Sequence, residues 1–212
     1  DWISDVCSTD LLNLKQPDRV PVSVAVGDYI ANYTGVPKGD FFYDYPKAVE
    51  ATAKFCRDFD LEYSVVGNFL PGKVYDILGY QLYKWPGGAL PKTHTFQFVE
   101  GEYMMADEYD EMIRDPEDWA LHKYMPRIQK NTPGLAGFPT FFGTTEMPFV
   151  PFTMLNFALP HINETLETMI AAGQATMEWL GANGQLAAVV MGELGLPATL
   201  GGFSKAPFDF LG

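Results

Sequence analysis

Asp28 and Asn68 are the polar residues best placed to do chemistry. Each follows a short apolar run, 18–27 before Asp28 and 61–67 before Asn68. In parallel strand–helix architectures, the positions just past a strand's carboxyl end carry the reacting groups. Asp28 brings a charge and fits either a site role or a helix-capping role. The amide of Asn68, ahead of Phe69-Leu70-Pro71, can donate and accept hydrogen bonds without carrying charge. Asp209, after Ala206-Pro207-Phe208, either points into a site or caps the next turn. The other reactive types show weaker patterns. Cys7 and Cys56 form no metal-ligand spacing and read as reduced thiols, Cys56 as a small core residue. His94 shares an expected strand face with Phe96 and Phe98, which suits a partly buried structural histidine. The acids between Glu100 and Glu111 match no calcium loop and read as a solvated helix start. Gly72-Lys73 lacks the rest of a phosphate-binding loop.

The elements that must position these groups follow from periodicity. The runs 18–27 and 61–67 read as strands buried on both faces. Between them, Ala48, Val49, Ala51, Thr52 and Phe55 form one stripe of a helix from about Pro46 to Phe59, with Lys47, Glu50, Lys54 and Arg57 facing away. Strand, helix, strand at this spacing predicts a parallel βαβ unit. Tyr80–Trp85 and Thr93–Val99 alternate around Pro86-Gly87-Gly88 and predict an antiparallel hairpin. Asp107 opens one helix. Asp115-Pro116-Glu117-Asp118 opens another, with a capping Asp, an N1 proline and acids against the dipole, running to about Gln129. From Met147 to Pro160 an apolar stretch is cut by prolines that forbid a continuous helix or central strand. It reads as a lid over an apolar pocket or as a contact with a second subunit, a homodimer included. Asn163 is expected to cap the next helix, a further helical run covers about Gln185 to Leu194, and 198–209 reads as a third strand with its exit loop.

Charge and length narrow the class. A formal net charge of -13, from 14 Lys+Arg against 27 Asp+Glu, repels phosphate backbones and anionic lipid, so nucleic acid and membrane are not expected partners. No stretch is apolar enough to span a bilayer and the first residues do not resemble a secretory signal, so the expected compartment is the cytoplasm. The 212 residues hold only three strands of the parallel type, against the eight of a closed barrel. The expectation is therefore an α/β chain forming the N-terminal portion of one (β/α)8 barrel domain over 1–212, with the hairpin and a helical insertion as excursions.

Four segments resemble the uroporphyrinogen decarboxylase superfamily: Lys15-Gln16-Pro17-Asp18-Arg19-Val20-Pro21-Val22, Gly27-Asp28-Tyr29-Ile30-Ala31-Asn32-Tyr33, Val66-Gly67-Asn68-Phe69-Leu70 with Gly79, and Gly202-Phe203-Ser204-Lys205-Ala206-Pro207-Phe208-Asp209. The first and last are the more specific. The resemblance implies a β/α barrel with its site at the carboxyl ends of the strands, Asp28 and Asn68 as catalytic residues, and Tyr29, Phe69, Ser204 and Asp209 as substrate-binding residues.

The departures from the decarboxylase pattern are informative. Decarboxylases of this superfamily carry arginines at the positions of Val24 and Asp28, and an aspartate at that of Asn68. Their substrate has eight carboxylates, for which arginine is the natural bidentate partner, and this chain has only Arg19, Arg57, Arg114 and Arg127. An amide at 68 cannot supply the negative charge that would stabilise a protonated pyrrole. The corrinoid-dependent methyltransferases of the same superfamily are the closer resemblance. It implies methyl transfer between a small methylated substrate or thiol and a corrinoid carried on a partner protein. Zinc would accompany a thiol acceptor, but His94, His122 and His161 form no His-x-Cys pair, and in the family those ligands lie further on. The alternatives are a decarboxylase-like lyase and a non-catalytic half-barrel completed by a partner.

Overall fold

The computed structural model describes residues 10, 13–16, 26–59 and 69–195. They are mostly helical, with one small antiparallel sheet. In chain order the α-helices are α1 Tyr29–Thr34, α2 Asp40–Tyr43, α3 Tyr45–Asp58, α4 Gly72–Leu78, α5 Tyr109–Arg114, α6 Pro116–Trp119, α7 Met125–Ile128, α8 Val150–Asn156 and α9 Pro160–Leu194; the strands are β1 Tyr83–Lys84 and β2 Gln97–Phe98. The three expected barrel strands, at 18–27, 61–67 and 198–209, lie outside the described residues except for Val26 and Gly27 at the entry to α1.

The chain divides into two compact units. The first takes 1–72, 85–96 and 176–203; the second takes 73–84, 97–175 and 204–212.

The helix expected over 46–59 is α3, the frame of the first unit. The Asp44 carboxylate accepts from the Lys47 amide (3.3 Å), Pro46 sits in the first turn, and Ala48, Ala51, Thr52, Ala53, Phe55 and Cys56 are buried. Arg57 of α3 pairs with Glu193 of α9 at 3.0 Å, and the Trp179 indole donates to the Phe69 carbonyl at 2.9 Å, so the second half of α9 closes this unit. Ile30, Phe69, Leu186 and Val190 are fully buried here. Trp85 donates to the Tyr43 hydroxyl (2.8 Å), Gly39 N–H to the Lys92 carbonyl (2.8 Å) and Leu70 N–H to the Phe41 carbonyl (3.1 Å).

In the second unit, β1 and β2 pair Tyr83 with Phe98 and Lys84 with Gln97. The hairpin is shorter than its alternation predicts. The residues between the strands, which belong to the first unit, close on themselves, with Gly88 and Leu90 donating to the Trp85 carbonyl and Gly87 to that of Leu90, at a φ of +85° for Gly87 that suits glycine. His94 consequently lies exposed in the loop, not half-buried on a strand face. Leu82, Met104, Trp119, Tyr124 and Ile128 form a core.

The expected cap of α6 is present, the Asp118 amide donating to the Asp115 carboxylate at 3.1 Å. Helical structure then runs to Ile128 through a π turn, Ala120–Tyr124, in which the Met125 N–H reaches the Ala120 carbonyl. Pro126 explains the widening, because it has no N–H for the carbonyl four residues back and its ring crowds that turn.

The stretch 147–160 breaks at its prolines as expected. Met147–Phe149 is a 3-10 turn, α8 follows with Pro151 in its first turn, and Pro160 opens α9. Asn163 therefore lies inside the first turn of α9 and is not its cap. The two helical runs expected over 163–180 and 185–194 are one helix, because Gly181 and Gly184 are not enough to break it. Its first half is tied into the second unit by Thr165, whose hydroxyl accepts from the buried Gly134 amide at 2.9 Å, and Ala172 and Ala175 pack with Val74.

Candidate functional site

Asp28 stands at the entry to α1, yet its side chain makes no capping bond. It faces the 85–96 segment instead. Thr95 Oγ1 donates to its Oδ2 at 2.6 Å, Lys38 Nζ donates to Thr95 Oγ1 at 2.8 Å, and Lys38 Nζ lies 3.4 Å from the carboxylate. The closed triangle fixes the carboxylate and uses up the lysine.

The same unit repeats this pattern. Asp40, almost fully buried, is paired with Lys92 at 2.8 Å and Lys47 at 3.4 Å, and Lys47 also reaches Asp44 at 2.6 Å. The Asp44 carboxyl is held below its ordinary range, chiefly by its hydrogen bond with Lys47.

Tyr29, the next candidate, is half-exposed in a group of rings with Tyr33, Phe55 and Phe59, centroids 4.5 to 6.5 Å apart. At its edge the Tyr33 hydroxyl donates to Asp58 at 3.0 Å, Lys54 pairs with Asp58, and the Lys54 ammonium lies 5.5 Å from the Tyr33 ring centre. The bond to Asp58 raises the Tyr33 phenol above its ordinary range, and Lys54 lowers the Asp58 carboxyl. Every lysine named here, and Arg57, thus carries a carboxylate partner. With its cations neutralised, this surface offers no ready grip for a polyanion.

The remaining candidates do not join Asp28 and Tyr29. The Phe69 ring is fully buried, 5.7 Å from that of Tyr45. Asn68, Ser204 and Asp209, with Val24, lie outside the described residues. Sequence reasoning missed two interior polar atoms in this unit, the Tyr45 hydroxyl and Asn183 Oδ1, both buried without a hydrogen-bond partner. Burial raises the Tyr45 phenol, with Glu178 adding to the effect. Neither had a sequence signal, since Tyr45 reads as a helix start and Asn183 as one polar residue among apolar neighbours.

In the second unit, two adjoining cavities of about 590 and 530 Å³ share Pro139 and Thr140. No residue expected from the sequence to form a site lines them. His122, in the wall of the smaller one, places Nε2 2.9 Å from the Phe138 carbonyl and Nδ1 3.0 Å from an Asp118 carboxylate oxygen. The Phe138 carbonyl, with Asp118, raises its pKa above the ordinary imidazole value. Among the described residues no group of three His, Cys, Asp or Glu side chains is arranged to hold a metal ion, and no helix is long and apolar enough to cross a membrane.

Compared with known proteins, the chain matches no family model, no curated protein and no solved structure.

Proposed function

We propose that this chain is part of a methyltransferase of the uroporphyrinogen decarboxylase superfamily, moving a methyl group between a small methylated substrate or thiol and a corrinoid on a partner protein. Residues 18–27, 61–67 and 198–209 would contribute staves of its β/α barrel, with Asp28 and Asn68 at their carboxyl ends and Tyr29, Ser204 and Asp209 beside the substrate. The corrinoid would accept or donate the methyl group. Asp28, fixed by Thr95 and Lys38, would orient the substrate, and the rings around Tyr29 would exclude water.

One observation carries the choice of methyl transfer over porphyrinogen decarboxylation. The cations of the Asp28 unit named above, Lys38, Lys47, Lys54, Lys92 and Arg57, are each paired with a carboxylate, and Arg127 of the other unit is paired with Glu108. Gripping a substrate with eight carboxylates would require breaking several of these pairs.

The test is methyl transfer to free cob(I)alamin, followed by loss of its absorbance with methylated thiols, methoxylated aromatics and methylamines as donors. Turnover with one class, abolished in Asn68→Ala and weakened in Asp28→Asn, is expected. No turnover with any of them would refute the reading.

A second reading, a subunit without chemistry of its own that a partner polypeptide completes, draws on the exposed apolar side chains between Met147 and Leu159. A stoichiometric co-purifying polypeptide together with catalytic silence would favour it.

A further inference from the structure

Most of the strongly exposed large apolar side chains described in the second unit lie in 138–156. Met147, Phe142 and Phe152 are 85%, 80% and 70% exposed, and Phe141, Phe149 and Leu155 are more than half exposed. Side chains of this size in one stretch of about twenty residues are far from the scattered exposure normal for a surface. The two cavities that share Pro139 and Thr140 run through this surface, and Phe142, Phe149 and Phe152 line the larger. The carboxylates in their walls are Glu146 in one and Asp115, Glu117 and Asp118 in the other; the lining residues include no lysine or arginine, and their one basic side chain, His122, is paired with Asp118.

We propose that this surface docks a basic amphipathic helix of another protein, its apolar stripe on the phenylalanines and its lysines or arginines against the acidic walls. Charge complementarity selects the occupant. A second copy of this chain would bring another net charge of -13 and another acidic rim to the same place. An anionic membrane would be repelled by the same carboxylates. A small molecule is a poor fit, because ligand sites enclose most of their ligand and these rings lie largely open. An extended peptide has nothing to pair with, since the described residues 138–156 contain no strand edge. A helix presenting anchors at i, i+3, i+4 and i+7 needs only a groove of this kind. The inference is independent of methyl transfer.

The test uses a fluorescein-labelled peptide of roughly 18 residues, leucines at that helical spacing and lysines elsewhere, with fluorescence anisotropy as readout. A control peptide replaces every lysine by glutamate. The lysine peptide is expected to bind, to weaken steeply between ~50 and ~500 mM salt, and to lose ~10-fold or more in affinity to Phe142→Ser and Phe152→Ser. Glu146→Gln should weaken it severalfold. Both phenylalanines are exposed, so the variants should unfold at the parent temperature, which thermal melting checks. Equal binding of the glutamate peptide, or binding unchanged by all three substitutions, would overturn the proposal. So would a concentration-dependent dimer of the parent protein that the phenylalanine variants abolish, because a second copy would then be the occupant.

Discussion

Glu108 is the most strongly committed side chain in the second unit. Its carboxylate, 7% exposed, accepts from Arg127 at 2.5 and 2.8 Å, from the Met105 amide at 3.1 Å and from the Trp119 indole at 3.3 Å. Arg127 also donates to the Tyr103 carbonyl at 2.9 Å. These bonds, the guanidinium foremost, hold the Glu108 carboxyl down at about 2. A depressed acid contributes stability that is fully present above its unfolded value, near 4.5, and is lost as pH falls through the folded one. The second unit should therefore lose on the order of 3 kcal/mol between those limits. Arg127→Met should cost about 3 to 5 kcal/mol at neutral pH, because it strands a buried carboxylate. That penalty should shrink in mild acid, where the stranded group takes up a proton; chemical denaturation at several pH values reads both effects. His122 behaves with the opposite sign. Both ring nitrogens face oxygens, so the imidazolium is favoured, its stabilisation is complete below the ordinary value of 6.5 and disappears as pH rises through the raised one. NMR titration of the imidazole should find its midpoint above 6.5. Little of this was legible in the sequence. Glu108 reads as one acid in a solvated run, and nothing local says that Arg127, nineteen residues on, folds back to cover it.

Local signals served best where they compete with nothing. The stripe of α3 and the Asp115 cap before Pro116 are each complete within a few residues, and both are present. The sequence predicts a later start for the long helix because Asn163 is a good capping residue, while Pro160, three positions earlier, suits a first turn equally well and prevails. Gly181 and Gly184 look like a boundary, yet packing on both sides carries the helix across them. A Cβ at either position would meet open space. Gly181→Ala and Gly184→Ala should therefore each stabilise the protein by about 0.5 to 1 kcal/mol, by reducing the freedom of the unfolded chain. Their melting temperatures should rise. A fall would mean that the glycines have a packing or binding role.

At the scale of the whole molecule, composition correctly announced an acidic chain with ample apolar surface, and the structure shows how its charges are used. The first unit brings its lysines onto carboxylates: Lys38 on Asp28, Lys47 and Lys92 on Asp40, Lys54 on Asp58. No local pattern announces such pairing, because Lys92 and Asp40 lie 52 residues apart. Of the expected site residues, Asp28 is held by Thr95 and Lys38 and Tyr29 lies among Tyr33, Phe55 and Phe59, while Asn68, Ser204 and Asp209 lie outside the described residues. The Phe69 ring, by contrast, is interior, and a sequence cannot tell a ring lining a cavity from one filling a core. The choice between methyl transfer and porphyrinogen decarboxylation turns on whether these cations are free to hold a polyanion. A fluorescence titration of the protein with uroporphyrin, which displays the eight carboxylates of the decarboxylase substrate, measures this directly. Saturable binding should be absent up to ~1 mM at physiological salt; a dissociation constant near ~1 μM that Lys38→Met or Lys92→Met weakens would contradict the account.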